Sequence, residues 1–141
     1  MIFLRAERVA RIATVSPIDK SPHVVPVCYV FDGSCFYTTL SMRSRRVKNL
    51  KPGSHVSLVV DRYEEEHGRW LTLRGIMVNG VAELLRFKQH KSEFTKGWTL
   101  LLQRYPQYMQ WARNDLTPRN ADDRAMLQIK PIEKASWGFE H

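Results

Sequence analysis

His23-Val24-Val25-Pro26-Val27-Cys28-Tyr29-Val30-Phe31-Asp32-Gly33, residues 23–33, is followed after Ser34 by Cys35-Phe36-Tyr37-Thr38-Thr39-Leu40, and this pair of runs decides the fold. Both runs are rich in β-branched and aromatic residues, and Asp32-Gly33 between them is a strong hairpin signal. In the first run Val24, Pro26, Cys28 and Val30 alternate with Val25, Val27, Tyr29 and Phe31, so both faces are apolar. A strand on a one-sided sheet needs only one apolar face. One face here can fill a barrel interior; the other needs a second cover, either a partner subunit or a flat aromatic ligand. Pro26 has no N–H to give to a ladder, so the strand is expected to be bulged or partly unpaired there. A ligand approaching the backbone and a plain bulge both fit that expectation.

Upstream, Arg5 to Arg11 reads as a short helical turn, Ile12 to Val15 as a strand, and Ser16 to Pro22 as a turn-forming loop. Downstream, Ser44 can cap a short helix carrying Val47 and Leu50, which Pro52-Gly53 ends. His55 to Asp61 is a strand, Glu64 to Gly68 a charged loop, and Trp70 to Leu84 a long β segment. Asn79-Gly80 inside that segment reads as the kink of one curved strand, because too few residues remain for a return strand. Phe87 to Arg113 is helical by period, with Trp98, Leu101, Leu102 and Tyr105 forming a core-facing stripe. Asn114 to Asp123 is a polar loop, Ala125 to Ile129 a last strand, and Trp137-Gly138-Phe139 a tail. The expected fold is mainly β: a six-stranded, Greek-key-like antiparallel split barrel. It carries a short helix after the third strand and a helical excursion before the last, within a single domain spanning 1–141.

At 141 residues, 43% apolar and 26% charged, the chain has the make-up of one soluble domain. No segment approaches the ~20 apolar residues of a membrane span, and MIFLRAERVARIATV lacks the pattern of a signal peptide. A cytoplasmic location is the expectation. Cys28 and Cys35 match neither a disulfide framework nor a zinc spacing, and read as small buried hydrophobes.

The formal charge of +8 favours an anionic partner: a phosphorylated cofactor, an acidic substrate or nucleic acid. Arg43, Arg45, Arg46, Lys48 and Lys51 concentrate the positive charge, against the acidic Glu64, Glu65 and Glu66. Nucleic acid is disfavoured, because no aromatic lies within 41–51 to stack a base. No triad, carboxylate pair or metal-ligand cluster is present, so no catalytic residue is assigned and no metal is expected. His23, His55, His67 and His90 are scattered, and neither His23, Tyr37 nor Tyr63 stands out as a proton donor.

The informative constellation is Phe36-Tyr37-Thr38-Thr39-Leu40 followed by Ser44-Arg45-Arg46-Val47-Lys48-Asn49-Leu50. A strand delivers the chain to a helix that opens on adjacent arginines. Free N–H groups at a helix start attract anions, and guanidinium forks grip phosphate oxygens. A phosphate docked there would lie beside Tyr37 and Thr38, with a flat ring system along His23 to Tyr29. That suits a mononucleotide.

The ordered set ATVSP, PHVVPVCYVFDG, FYTTL, SRRVKNL and HVSLVV, from Ile12 to Val60, resembles the pyridoxamine-phosphate-oxidase-like superfamily of flavin-binding split barrels. Within it the chain is most similar to small flavin or deazaflavin (F420) oxidoreductases, a likeness that the DRYEEE stretch shares. The resemblance implies FMN or F420 as cofactor, hydride transfer to a small unsaturated or aromatic substrate, and a homodimer with the cofactor between subunits. A non-catalytic flavin or tetrapyrrole binder is the alternative. It further implies that Ser44, Arg45 and Arg46 hold the phosphate, with Lys48 as an auxiliary cation and Tyr37 and Thr38 beside the ribityl chain. Val24, Val25, Pro26 and Val27 would border the ring, and Gly75 would approach it from a neighbouring strand. Val24 and Tyr29 stand where pyridoxamine phosphate oxidases themselves carry Arg and Lys, and their C-terminal Arg and His are missing, so that particular activity is not expected.

Overall fold

In the computed structural model, which describes residues 2–66, 69–106 and 123–139 (backbone alone at 66 and 69–72), the Asp32-Gly33 turn sits where its residues require it. The Asp32 carboxylate accepts the N–H groups of Ser34 and Cys35 at 2.8 and 2.7 Å, closing the hairpin between β3 (Val30–Phe31) and β4 (Phe36–Ser41). The run expected as one strand from His23 to Phe31 is divided, with β2 (Pro22–Cys28) ending before Tyr29. Tyr29 is buried; its hydroxyl donates to Leu4 O at 2.7 Å, and its own N–H goes to the Tyr105 hydroxyl instead of a neighbouring strand. The division makes seven strands among the described residues, one more than expected.

The strands form one curled antiparallel sheet, a half-barrel in the order β2-β1-β5-β6-β7-β4-β3. A short helix, α1 (Ile2–Ala6), ends earlier than the expected Arg5 to Arg11 turn, which leaves β1 (Val9–Val15) longer than expected. Ala10, Ile12 and Thr14 of β1 point into the core, and Val9, Arg11 and Val15 point out. β5 (Ser54–Glu66) continues through the stretch expected as a charged loop; His67 and Gly68 lie outside the described residues. Its charges are tolerated because they pair: Arg62 binds Glu64 at 3.0 Å and also Glu7.

β6 (Arg69–Leu85) is one curved strand, as the Asn79-Gly80 reading expected, and its register against β7 (Arg124–Trp137) shifts at that dipeptide. A Cβ on Gly80 would stand 2.7 Å from both Ile129 Cγ2 and Lys130 O, so the two strands meet there closer than any side chain allows. β7 runs well past the expected end at Ile129 and takes in Trp137. Pro131 lies opposite Gly80, beyond the last β4 pairing at Ile129, so its missing N–H costs the ladder nothing on that side.

α2 (Arg45–Asn49) follows β4, and α3 (Lys91–Arg104) covers the face of β4 opposite the barrel interior. α3 is shorter than the expected Phe87 to Arg113, though 107–113, like most of the expected 114–123 loop, lies outside the described residues. Its stripe is core: Phe94, Trp98, Leu101 and Tyr105 are buried with Tyr37, Leu85 and Met126, while Leu102 packs at the margin. The larger cluster fills the barrel with residues such as Ile12, Phe36, Leu58, Val78 and Leu127. No described helix is long and apolar enough to cross a membrane.

The Tyr105 hydroxyl locks α3 to the β2–β3 break. It accepts the Tyr29 N–H at 3.1 Å and meets the carbonyls of Arg8, at 2.8 Å, and Tyr29. Tyr105→Phe leaves a buried N–H without a partner, and is expected to lower unfolding free energy by about 1 kcal/mol in urea titration.

Candidate functional site

β2 is an edge strand that pairs on one side, with β1. Pro26 stands in regular register opposite Arg11, so of the two expected outcomes the bulge is not there and the strand is instead unpaired on its outer side. A regular ladder is possible because the proline nitrogen faces away from β1, toward the free edge. By the two-residue repeat of a strand, Val24 and Cys28 aim their backbone groups the same way. The Cys28 carbonyl does so: it accepts the Thr38 hydroxyl of β4 at 2.7 Å, bridging the two ends of the curled sheet. Beside this bridge opens a cleft of ≈ 250 Å³, lined by Val9, Pro26, Val27, Cys28, Thr38, Thr39 and Arg46.

α2 brings Arg46 to the cleft. Asn49 donates to the Thr14 hydroxyl at 3.1 Å, and Val47 and Leu50 pack on the barrel core, which fixes the helix against β1. Ser44 occupies the N-cap position but its hydroxyl makes no capping hydrogen bond. Ser44 Oγ and Arg46 Nη1 are both buried without a hydrogen-bond partner. Loss of water pushes the half-buried Arg46 below the usual arginine range, and the like charge of Arg124 adds to it. Arg124, the first residue of β7, pairs with Ser41 of β4 and donates to the Thr39 hydroxyl at 2.7 Å.

The cleft therefore has a basic, donor-rich end at Arg46 and Thr39 and an apolar wall at Val9, Pro26 and Val27. Burial pushes the Cys28 thiol up, against the opposing pull of Arg8, so that wall is uncharged at neutral pH.

Of the residues singled out in the sequence, Pro26, Val27, Thr38 and Arg46 line the cleft, and Ser44 lies two positions before Arg46. Arg45 and Lys48 are exposed and do not line it. Consecutive helical residues are set about 100° apart, and here Arg46 is turned to the cleft while Arg45 is turned to solvent. At five residues α2 also has little dipole to offer. Tyr37 alternates with Thr38 and so faces the other way, buried under α3 with its hydroxyl accepting from Gln128 at 3.1 Å. Val24 is 64% exposed on the outer face of the sheet and Val25 is half-buried; neither lines the cleft. Gly75 pairs with Trp137, and a Cβ there would stand 2.2 Å from the indole, so the close approach at Gly75 is made by the chain's own Trp137. Val9, Cys28 and Thr39 line the cleft without having been singled out. No group of metal-ligating side chains occurs among the described residues.

The family model described as pyridoxamine 5'-phosphate oxidase matches residues 2–138. The chain belongs to that family. Solved structures agree on the pyridoxamine 5'-phosphate oxidase-like split barrel. An F420 reductase is 20% identical with a TM-score of 0.66, over 95% of this chain and 94% of that one. A FAD-binding protein from Mesorhizobium loti is 23% identical with a TM-score of 0.66, over 96% and 88%. A haem storage protein from Vibrio cholerae is 15% identical with a TM-score of 0.73, over 97% and 89%. At such identities the likeness is one of fold. No curated protein sequence matches the chain.

Proposed function

We propose that this family member binds FMN or the deazaflavin F420 by its phosphate and works as an oxidoreductase, exchanging hydride between that cofactor and a small unsaturated or aromatic substrate. The observation that carries the reading is Arg46 Nη1, buried without a partner on a side chain that lines the cleft, with the equally unpartnered Ser44 Oγ two positions before it in the chain. Buried polar groups call for a hydrogen-bond partner, and for a half-buried guanidinium a negatively charged partner is the strongest. A phosphate meets both demands. The names of two structural relatives, an F420 reductase and a FAD-binding protein, support a flavin-type ligand.

When bound, the cofactor supplies the hydride chemistry. Arg46 and Ser44 would hold its phosphate. Val9, Pro26 and Val27 would exclude water from the ring, and the free backbone edge of β2 would orient it. The cleft falls below the ~300–1,000 Å³ of enclosed small-molecule pockets, so the described residues of one chain do not enclose a tricyclic ligand. The outer sheet face beside it, with Val9, Val15 and Val24 exposed, supports a second copy as the missing wall. Isologous pairing would give two equivalent sites.

The test is titration of the purified chain with FMN, F420 and haemin in parallel, followed by fluorescence or absorbance, with the mass of the complex measured by sedimentation. Saturable binding of FMN or F420 by a dimer is the expected result. Binding of haemin alone would replace the oxidoreductase reading with tetrapyrrole carriage.

A further inference from the structure

The cleft's basic end draws on a residue far from the FYTTL and SRRVKNL stretches. Thr39 lines the cleft together with Arg46, and the Thr39 hydroxyl accepts a hydrogen bond from Arg124 Nη2 at 2.7 Å. β4 and β7 are paired from Phe36↔Ile129 to Ser41↔Arg124, so both partners of this bond stand on regular sheet and not on a loop. The charge of Arg124 is felt at Arg46. Arg124 thus stands one hydrogen bond away from a side chain that lines the cleft, and an anion in the cleft is attracted by both guanidinium groups.

We infer that Arg124 is the second guanidinium of a phosphate clasp completed by Arg46, and that Thr39 is the positioning residue that aims it. The inference rests on the cofactor reading above and adds to it a residue from the last strand. Arg46 comes from α2, Ser44 from the turn before it and Arg124 from β7, so the clasp joins the middle of the chain to its far end. Each guanidinium offers a planar fork suited to phosphate oxygens. The chemistry is common to the terminal phosphate monoester of a mononucleotide and to the phosphodiester of a deazaflavin carrying an acidic tail.

The experiment compares four ligands, FMN, riboflavin, F420 and its phosphate-free riboside, on the wild-type chain and on Arg124→Ala, Thr39→Val and Arg46→Ala. Arg124→Ala is expected to weaken FMN or F420 about tenfold while leaving the phosphate-free ligand unchanged, and Thr39→Val is expected to give a smaller loss of the same kind. A loss confined to FMN identifies the monoester as the bound group; one confined to F420 identifies the diester. Equal weakening of phosphorylated and phosphate-free ligands would make Arg124 structural and overturn the clasp. So would an Arg124→Ala variant that keeps full affinity while Arg46→Ala loses it, and in that case the cofactor reading stands without Arg124. Absence of binding by the wild-type chain to all four ligands would overturn both.

Discussion

Phe94→Ala is expected to lower the unfolding free energy by about 3–5 kcal/mol, as truncation of a buried phenylalanine does. Phe94 is fully buried. It stacks on Trp98 with centroids 5.8 Å apart and meets Phe87 edge-on at 5.5 Å. Its neighbours in the second core come from β4, β6 and β7 through Tyr37, Leu85 and Met126. The gap left by the ring would thus open between α3 and these three strands. Against a total stability of about 5–15 kcal/mol, the loss is a large share. Guanidinium or urea titration of the variant beside Phe94→Leu, which keeps most of the volume, measures it. A change below 1 kcal/mol would mean that α3 is not docked as described. Because β4 carries Tyr37 on the α3 side and Thr38 on the cleft side, a loosened α3 should also weaken ligand binding in proportion.

The second large effect is on binding. Arg46→Ala removes the half-buried guanidinium at the cleft and is expected to weaken the phosphorylated cofactor by about 2 kcal/mol, or about 30-fold in Kd. The fold should be little changed, since Arg46 Nη1 has no partner to lose. Arg46→Lys should fall between the two, because an ammonium keeps the charge but not the planar fork. Titration with the cofactor and with its phosphate-free analogue separates the charge from the ring contacts; unchanged affinity in Arg46→Ala would remove this residue from the site.

Legibility in the sequence followed the range of the interaction. The Asp32-Gly33 turn, the kink at Asn79-Gly80 and the buried stripe of α3 are written in residues a few positions apart, and all were readable. The over-long strands were not. Glu64 and Glu65 look like loop residues, yet cross-strand pairing of β5 with β6 and the ion pairs of Arg62 hold that stretch extended. Pro131 likewise looks like a strand end, and only the absence of a β4 neighbour past Ile129 makes it harmless. Tyr29 broke the expected strand because its hydroxyl and its N–H have partners at Leu4 and Tyr105.

The site shows the same division. SRRVKNL announced a cation beside a strand, and Arg46 is there. Which of the adjacent arginines turns inward is decided by how Asn49, Val47 and Leu50 seat α2, and their partners, Thr14 of β1 and the barrel core, lie outside the heptapeptide. Arg124 reaches Thr39 through pairing across 85 positions, and no local signal could have placed it. Tyr37 and Thr38 are adjacent in the same stretch, yet Tyr37 is taken into the core under α3 and only Thr38 lines the cleft, a choice made by the packing of α3 on β4.

Pro26 has a further consequence. An open strand edge that offers its backbone to a small molecule offers the same groups to any extended polypeptide, and an uninterrupted row of donors and acceptors is a template for fibrillar association. Pro26 sits at the middle of that edge and leaves a gap in the row. A foreign strand cannot zip past it, so the rim stays accessible to a compact ligand and closed to β-augmentation.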